Sequence, residues 1–204
     1  MTRTFLGVSA LALALASTSF VVSRAEDSKF ASVDLAPQKV GTLADMWTID
    51  KVCGTKKIKV AYADGWGGNY WRHIARAEFE DEAKKCPNIT DVKYTDGEGD
   101  AGKHIADIQA LVAQHYDVIL VFADTGEAVL KELRKATAAG VAVVPFTTGD
   151  APFGKLGIDY VDRATESQIA LGQTEADWMA KTLGGKGNVI VDGGFPGNPM
   201  TSSQ

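Results

Sequence analysis

Basic residues are the minority charge in this chain, with 21 Lys and Arg against 26 Asp and Glu and a formal net charge of −5. No basic patch breaks that balance, which excludes nucleic acid as an expected partner. Histidine is scarce too: His73, His104 and His115 fall on predicted helices without metal-ligand spacing, so each is read as a solvated or helix-packing side chain and no metal is expected. The glycine-rich stretch G-W-G-G-N at Gly65 to Asn69 is not G-x-G-x-x-G, and no P-loop lysine follows it. Nucleotide phosphates are therefore excluded. No Ser-His-Asp set occurs, and Asp64 has neither the neighbouring aspartate nor the partner lysine of a phosphotransfer site. Recognition without catalysis is the expectation, and no cofactor is called for.

Long apolar runs are limited to one, Phe5 to Val22, preceded by Arg3 and followed by Ser23-Arg24-Ala25 ahead of Glu26 and Asp27. This order describes a secretory signal peptide over residues 1–25, cut after Ala25. The alternative is a membrane anchor, since a run of roughly 18 residues approaches a bilayer span. The Gly, Ser and Thr content and the small residues before the cut favour the signal, so the mature protein is expected to be exported and not membrane-embedded. Export permits a disulfide, and the chain has only Cys53 and Cys86 to form one. Cys53 precedes the first predicted strand and Cys86 ends the helix that follows it. A strand and its returning helix bring those two points to the same sheet edge, so a Cys53–Cys86 bridge is expected over two free buried thiols.

Residues 26–55 show no sustained period and read as an N-terminal arm, with a short turn around Leu43 to Trp47 and Trp47 pinning the arm to the domain. From Ile58 the pattern becomes regular. Ile58 to Ala63 reads as a strand, and Asn69 to Lys85 as an amphipathic helix with Trp71, Ala75, Phe79 and Ala83 at four-residue spacing. Arg76 with Glu80, Glu80 with Lys84 and Asp81 with Lys85 stand at i,i+4 on its polar face. The unit recurs as strand 92–94 with helix 101–115, and as strand 118–122 with helix 127–139, the latter opened by a capping-box-like Asp124 to Glu127. A fourth strand covers 141–146, a short fifth 156–158, a helix 163–183, and a further buried strand 188–191 before a glycine-rich corner at 193–198.

Alternating strand and helix periods joined by short loops specify right-handed crossovers and an open parallel α/β sheet with helices on both faces. The corners after the strands then share the carboxyl edge, where ligands bind in such sheets. That edge receives Asp64, Asp96, Asp100, Asp124 and Asp150, with Asn69, Thr147 and Thr148. Planar carboxylates and amides suit the paired donors and acceptors of vicinal hydroxyls. Trp66 and Tyr70 offer flat apolar surface for the C–H face of a sugar ring. Trp71 serves either the ligand or the core, because it shares the helix spacing of Ala75 and Phe79.

From about residue 56 onward the chain resembles the ribose-type (type I) periplasmic sugar-binding proteins of ABC importers. The likeness rests on K-I-K-V-A-Y-A-D-G-W-G-G-N-Y-W-R, Gln109, V-I-L-V-F-A-D-T-G-E-A-V, A-G-V-A-V-V-P-F and V-I-V-D-G-G-F-P-G-N-P, in that order. The resemblance implies two similar α/β domains joined by a hinge and closing on a sugar. It implies that Tyr70 and Trp71 stack on the sugar, and that Asp64 and Asp124 contact it from the first and third corners. At the fourth corner Thr147-Thr148 stands where ribose-type members often carry Asp-Arg, which argues against ribose itself and leaves Asp150 part of that role. By the same resemblance residues 56–160 form the first, complete domain, residues 161–204 only begin the second, and the sequence reads as an N-terminal fragment.

The implied function is periplasmic: binding a monosaccharide or similar polyol and presenting it to an importer permease or a chemoreceptor. The competing reading is an exported sensor input domain, or a carbohydrate-active enzyme, on a related sheet. Which sugar is bound does not follow from the sequence.

Overall fold

The computed structural model of the protein describes residues 48–191. The expected signal peptide, the turn near Trp47 and the corner at 193–198 lie outside the described residues. Within them a short helix α1 (Ile49–Val52) leads to β1 (Ile58–Asp64), α2 (Tyr70–Lys84), β2 (Ile89–Asp96), α3 (Ala101–Ala113) and β3 (Val118–Phe122). A 3-10 turn (Gly126–Val129), α4 (Leu130–Ala138), β4 (Ala142–Phe146) and α5 (Gln168–Thr182) complete the order. The four strands form one parallel sheet in the order β2-β1-β3-β4.

Both faces of the sheet are apolar, as a parallel sheet flanked by crossover helices requires. Ala61, Ile119 and Val143 stand in register across one face and pack with Ile108 and Leu111 of α3 and with Leu133 and Ala136 of α4. The opposite face is aromatic. Tyr62 meets Phe79 of α2, Tyr94 and Phe146 edge-on, at ring separations of 5.8, 5.2 and 5.3 Å. Such edge-to-face pairs contribute about 0.5–1.5 kcal/mol each beyond burial. Helices therefore lie on both faces, as the alternation of periods predicts.

Cys53 and Cys86 form a disulfide across 33 residues of chain with Cα atoms 5.2 Å apart. It ties the approach to β1 to the end of α2, on the amino edge of the sheet, away from the corners where a ligand would bind. The expected pair Arg76–Glu80 is also present, at 2.7 Å.

Four expectations need correction. Leu156 to Ile158 is not a strand: Gly157 adopts φ +74° and the segment curls into a turn, with the N–H of Ile158 and of Asp159 donating to Lys155 O. The edge of β4 is instead met by the chain just beyond, where Val161 N donates to Val143 O and Ala164 N to Pro145 O. The helix expected over 127–139 begins as a 3-10 turn and has no side-chain cap at Thr125, because the Asp124 carboxylate is engaged by Arg72. The expected strand 188–191 has no ladder partner among the described residues, and Ile190 is 99% exposed; an apolar run makes a strand only where a sheet receives it. The helix from 163 also starts later, at Gln168, where Ser167 Oγ accepts from Ala170 N.

Candidate functional site

β1 is paired with β2 on one side and β3 on the other, and the chain leaves β1 and β3 in opposite directions. This reversal of strand order opens a crevice at the carboxyl ends of β1 and β3, the customary ligand position in open α/β sheets. The corners there are stitched together by backbone: Gly65 N donates to Phe122 O at 3.1 Å, Gly97 N to Asp64 O at 2.7 Å, and Gly99 N to Gly65 O at 2.9 Å. Glycine at position 65 is what allows the approach. A Cβ there would lie 2.8 Å from Asp124 Cβ and 2.9 Å from Asp124 Oδ2.

Asp64 ends β1 on the aromatic face and is fully buried. Its carboxylate accepts from Arg72 Nη1 at 2.6 Å, Tyr62 OH at 2.9 Å, Tyr94 OH at 3.1 Å and Trp66 N at 3.2 Å. Four donors saturate it, so in this geometry Asp64 underlies the corner and does not face a solute. Burial first, and then the nearby Asp64 carboxylate, push both tyrosine hydroxyls above their ordinary range, which keeps them protonated as donors.

Arg72 comes from the first turn of α2 and is itself buried. Its Nη2 donates to Asp124 Oδ1 at 2.7 Å and Oδ2 at 2.9 Å, and its guanidinium lies 3.1 Å from the centroid of the Phe122 ring. Sequence reasoning missed this residue. The signal was available: two carboxylates expected at neighbouring strand ends need a cation, and Arg72 is the one basic side chain in the stretch from Ala63 to Arg72.

The aromatic candidates surround this network on the outside. Trp66 is 45% exposed, Tyr70 88% and Trp71 52%. The Trp71 ring meets Phe122 edge-on at 5.8 Å while half of it stays open, so it touches both the core and the crevice. Asn69 is the N-cap of α2, its Oδ1 accepting from Arg72 N at 3.0 Å, which commits the carbonyl half of its amide to the helix. Asp96 and Asp100 are likewise engaged locally, with Asp96 Oδ1 accepting from Gly67 N at 2.8 Å and Asp100 Oδ1 capping α3 through Lys103 N at 2.6 Å.

The fourth corner lies one strand further along and is organised differently. Thr147 adopts φ +52°, a sparsely populated conformation for a β-branched residue, and its N–H donates to Ala164 O. Thr148 is fully buried, with its N–H donating to Thr165 Oγ1 at 3.1 Å. Asp150 accepts from Ile169 N at 2.8 Å and Ser167 Oγ at 3.2 Å, holding the start of α5. The structure thus brings Asp64, Trp66, Asn69, Tyr70, Trp71 and Asp124 together at one crevice, and engages Thr147, Thr148 and Asp150 with the segment that leads into α5. His104 is buried behind the crevice, with Nδ1 3.3 Å from Thr125 Oγ1.

Residues 61–203 match the family described as "Periplasmic binding protein domain". No curated protein matches the chain. Among solved structures it is similar to an ABC transporter solute binding protein from Thermobispora bispora, at 29% identity and TM-score 0.62, over 72% of this chain and 45% of that one. It is similar to the Caulobacter myo-inositol binding protein bound to myo-inositol at 24% identity and TM-score 0.60, over 72% of this chain and 49% of that one. A solute binding protein from Agrobacterium vitis with bound allitol matches at 21% identity and TM-score 0.60, over 72% of this chain and 48% of that one. The chain spans about half the length of these structures. Its parallel sheet with helices on both faces is the type I fold of such proteins, and the chain belongs to the periplasmic binding protein domain family.

Proposed function

We propose that this chain forms one wall of a monosaccharide or polyol site in an exported solute-binding protein that serves an ABC importer. The observation that carries the reading is the crevice between β1 and β3, where Trp66, Tyr70 and Trp71 leave ring surface open around a carboxylate-rich corner. Ring faces take the C–H surfaces of a polyol and carboxylates take its hydroxyls, an arrangement that binds without performing chemistry. Myo-inositol and allitol, bound by two structures of the same fold, supply the class of solute. In this reading residues 56–160 are the first lobe, the chain from 161 begins a second, and the protein works in the periplasm.

Within the site, Trp66, Tyr70, Trp71 and Asp124 are the residues proposed to meet the solute. Asp64 and Asn69 support them from below. Saturation-transfer NMR on the 204-residue chain, with myo-inositol, allitol, β-D-glucose and fructose, tests the proposal. It registers binding as weak as millimolar. Transfer from aromatic protons to the C–H protons of at least one of these, abolished by W66A with W71A, is the expected result. Absence of transfer to all four, or conversion of any of them to product, overturns it.

A further inference from the structure

The ends of β1 and β3 each deliver an aspartate to the face beneath α2, and one arginine joins them. Arg72 divides its guanidinium: Nη1 serves Asp64 at 2.6 Å and Nη2 serves Asp124 at 2.7 Å. The two carboxylates differ in exposure. Asp64 has no exposed side-chain surface, whereas Asp124 keeps 11% of its own. Arg72 is itself only 5% exposed, so its plane, lying on Phe122, presents no open face to an anionic solute.

We propose that Arg72 is a positioning residue, clamping the strand ends on either side of the crevice and setting the Asp124 carboxylate at its mouth as an acceptor for solute hydroxyls. This rests on the reading of the crevice as a polyol site. The fork geometry is what the task requires, because a planar guanidinium can address two carboxylates in fixed directions and a lysine ammonium cannot. Tyr62, Tyr94 and the Trp66 N–H complete the shell of Asp64, so Asp64 acts as the buried anchor from which Arg72 reaches across to Asp124. The three charged side chains sum to a single excess negative charge, which favours neutral hydroxylated solutes over phosphorylated or carboxylated ones.

The clamp is tested in the full chain by measuring D124N in two backgrounds. With Arg72 present, D124N leaves a buried guanidinium without one of its charged acceptors and lowers Tm, by on the order of 10 °C. In the R72M background there is no guanidinium to lose its acceptor, so the same change lowers Tm by clearly less. An effect of the same sign and size in both backgrounds overturns the clamp. Should R72M not fold, R72K carries the comparison: an ammonium lacks the planar fork that holds both carboxylates in fixed directions, so D124N then lowers Tm by clearly less than it does with arginine, and an undiminished loss overturns the clamp.

The positioning role is read from myo-inositol affinity by saturation-transfer titration. R72M and D124N each weaken it about tenfold, and the double variant is no weaker than either alone, because both act through the same carboxylate. Losses that multiply to about a hundredfold overturn the positioning role. If wild type transfers to no polyol, the polyol reading fails, while the difference in Tm loss between the backgrounds still decides whether Arg72 holds both corners.

Discussion

Reducing the Cys53–Cys86 bond should unfold the domain more easily without changing the crevice. The bond closes 33 residues of chain, and in the chain-entropy account a loop of that length contributes about 3.7 kcal/mol by restricting the unfolded ensemble. For a protein of this size about 1 kcal/mol moves Tm by roughly 2–4 °C, so reduction should lower Tm by about 7–15 °C. Cys86 is 4% exposed, so substitution would add a packing loss to the entropic one. Reduction by phosphine under non-denaturing conditions separates the two, with C53S as a second route. The assays are thermal and urea unfolding followed by circular dichroism, with and without reductant. The midpoint should fall, and the dependence on urea should steepen because the reduced chain unfolds to a more open ensemble. The bond lies on the amino edge and the crevice on the carboxyl edge, so polyol binding to the folded reduced protein should change less than twofold. A Tm change under 2 °C, or thiols that titrate before reduction, would refute the reasoning.

Three further outcomes are expected. G65A should lower stability by about 1–3 kcal/mol in urea unfolding, because the added methyl meets Asp124 Cβ at 2.8 Å and must push the β1 and β3 corners apart; the same variant should weaken polyol binding. N69A removes the cap accepted from Arg72 N and should cost about 1 kcal/mol, most of it restored in N69D. His104 is held below the ordinary imidazole range, chiefly by burial and against the pull of Asp64 and Asp107. The unfolded chain therefore takes up a proton that the folded one refuses, so this contribution is complete above the unfolded imidazole pKa, about 6.5, and declines as pH falls through that value towards the folded one. The stability advantage of wild type over H104Q should shrink between pH 7.5 and 5, and a constant difference would count against it.

Much of the scaffold can be read from the chain because it depends on short-range pattern. The four-residue spacing of Trp71, Ala75, Phe79 and Ala83 selects a helix with one packed side, and the unbroken apolar run of Val118 to Phe122 selects an interior strand covered on both faces. The disulfide follows from the same logic, since the lengths of β1 and α2 bring Cys53 and Cys86 together. Where the pattern was silent, a partner decided. Leu156 to Ile158 and Asn188 to Val191 are apolar enough to be strands, yet the chain at 161–164 takes the available edge of β4 and nothing among the described residues pairs with 188–191.

The site divides along the same line. Composition and spacing by themselves determined that carboxylates, an amide and aromatics gather at the carboxyl edge of a parallel sheet, because every right-handed crossover returns its corner to that edge. Which of those groups face outward was decided only in three dimensions. The register that sets Asp64 opposite Phe122 puts the first aspartate under α2, within reach of four donors, and puts Arg72 between it and Asp124. A buried carboxylate must be fully paired, and that need, which sums over partners far apart in sequence, turned Asp64 from a candidate ligand contact into the foundation of the corner and left the open faces to Trp66, Tyr70 and Trp71.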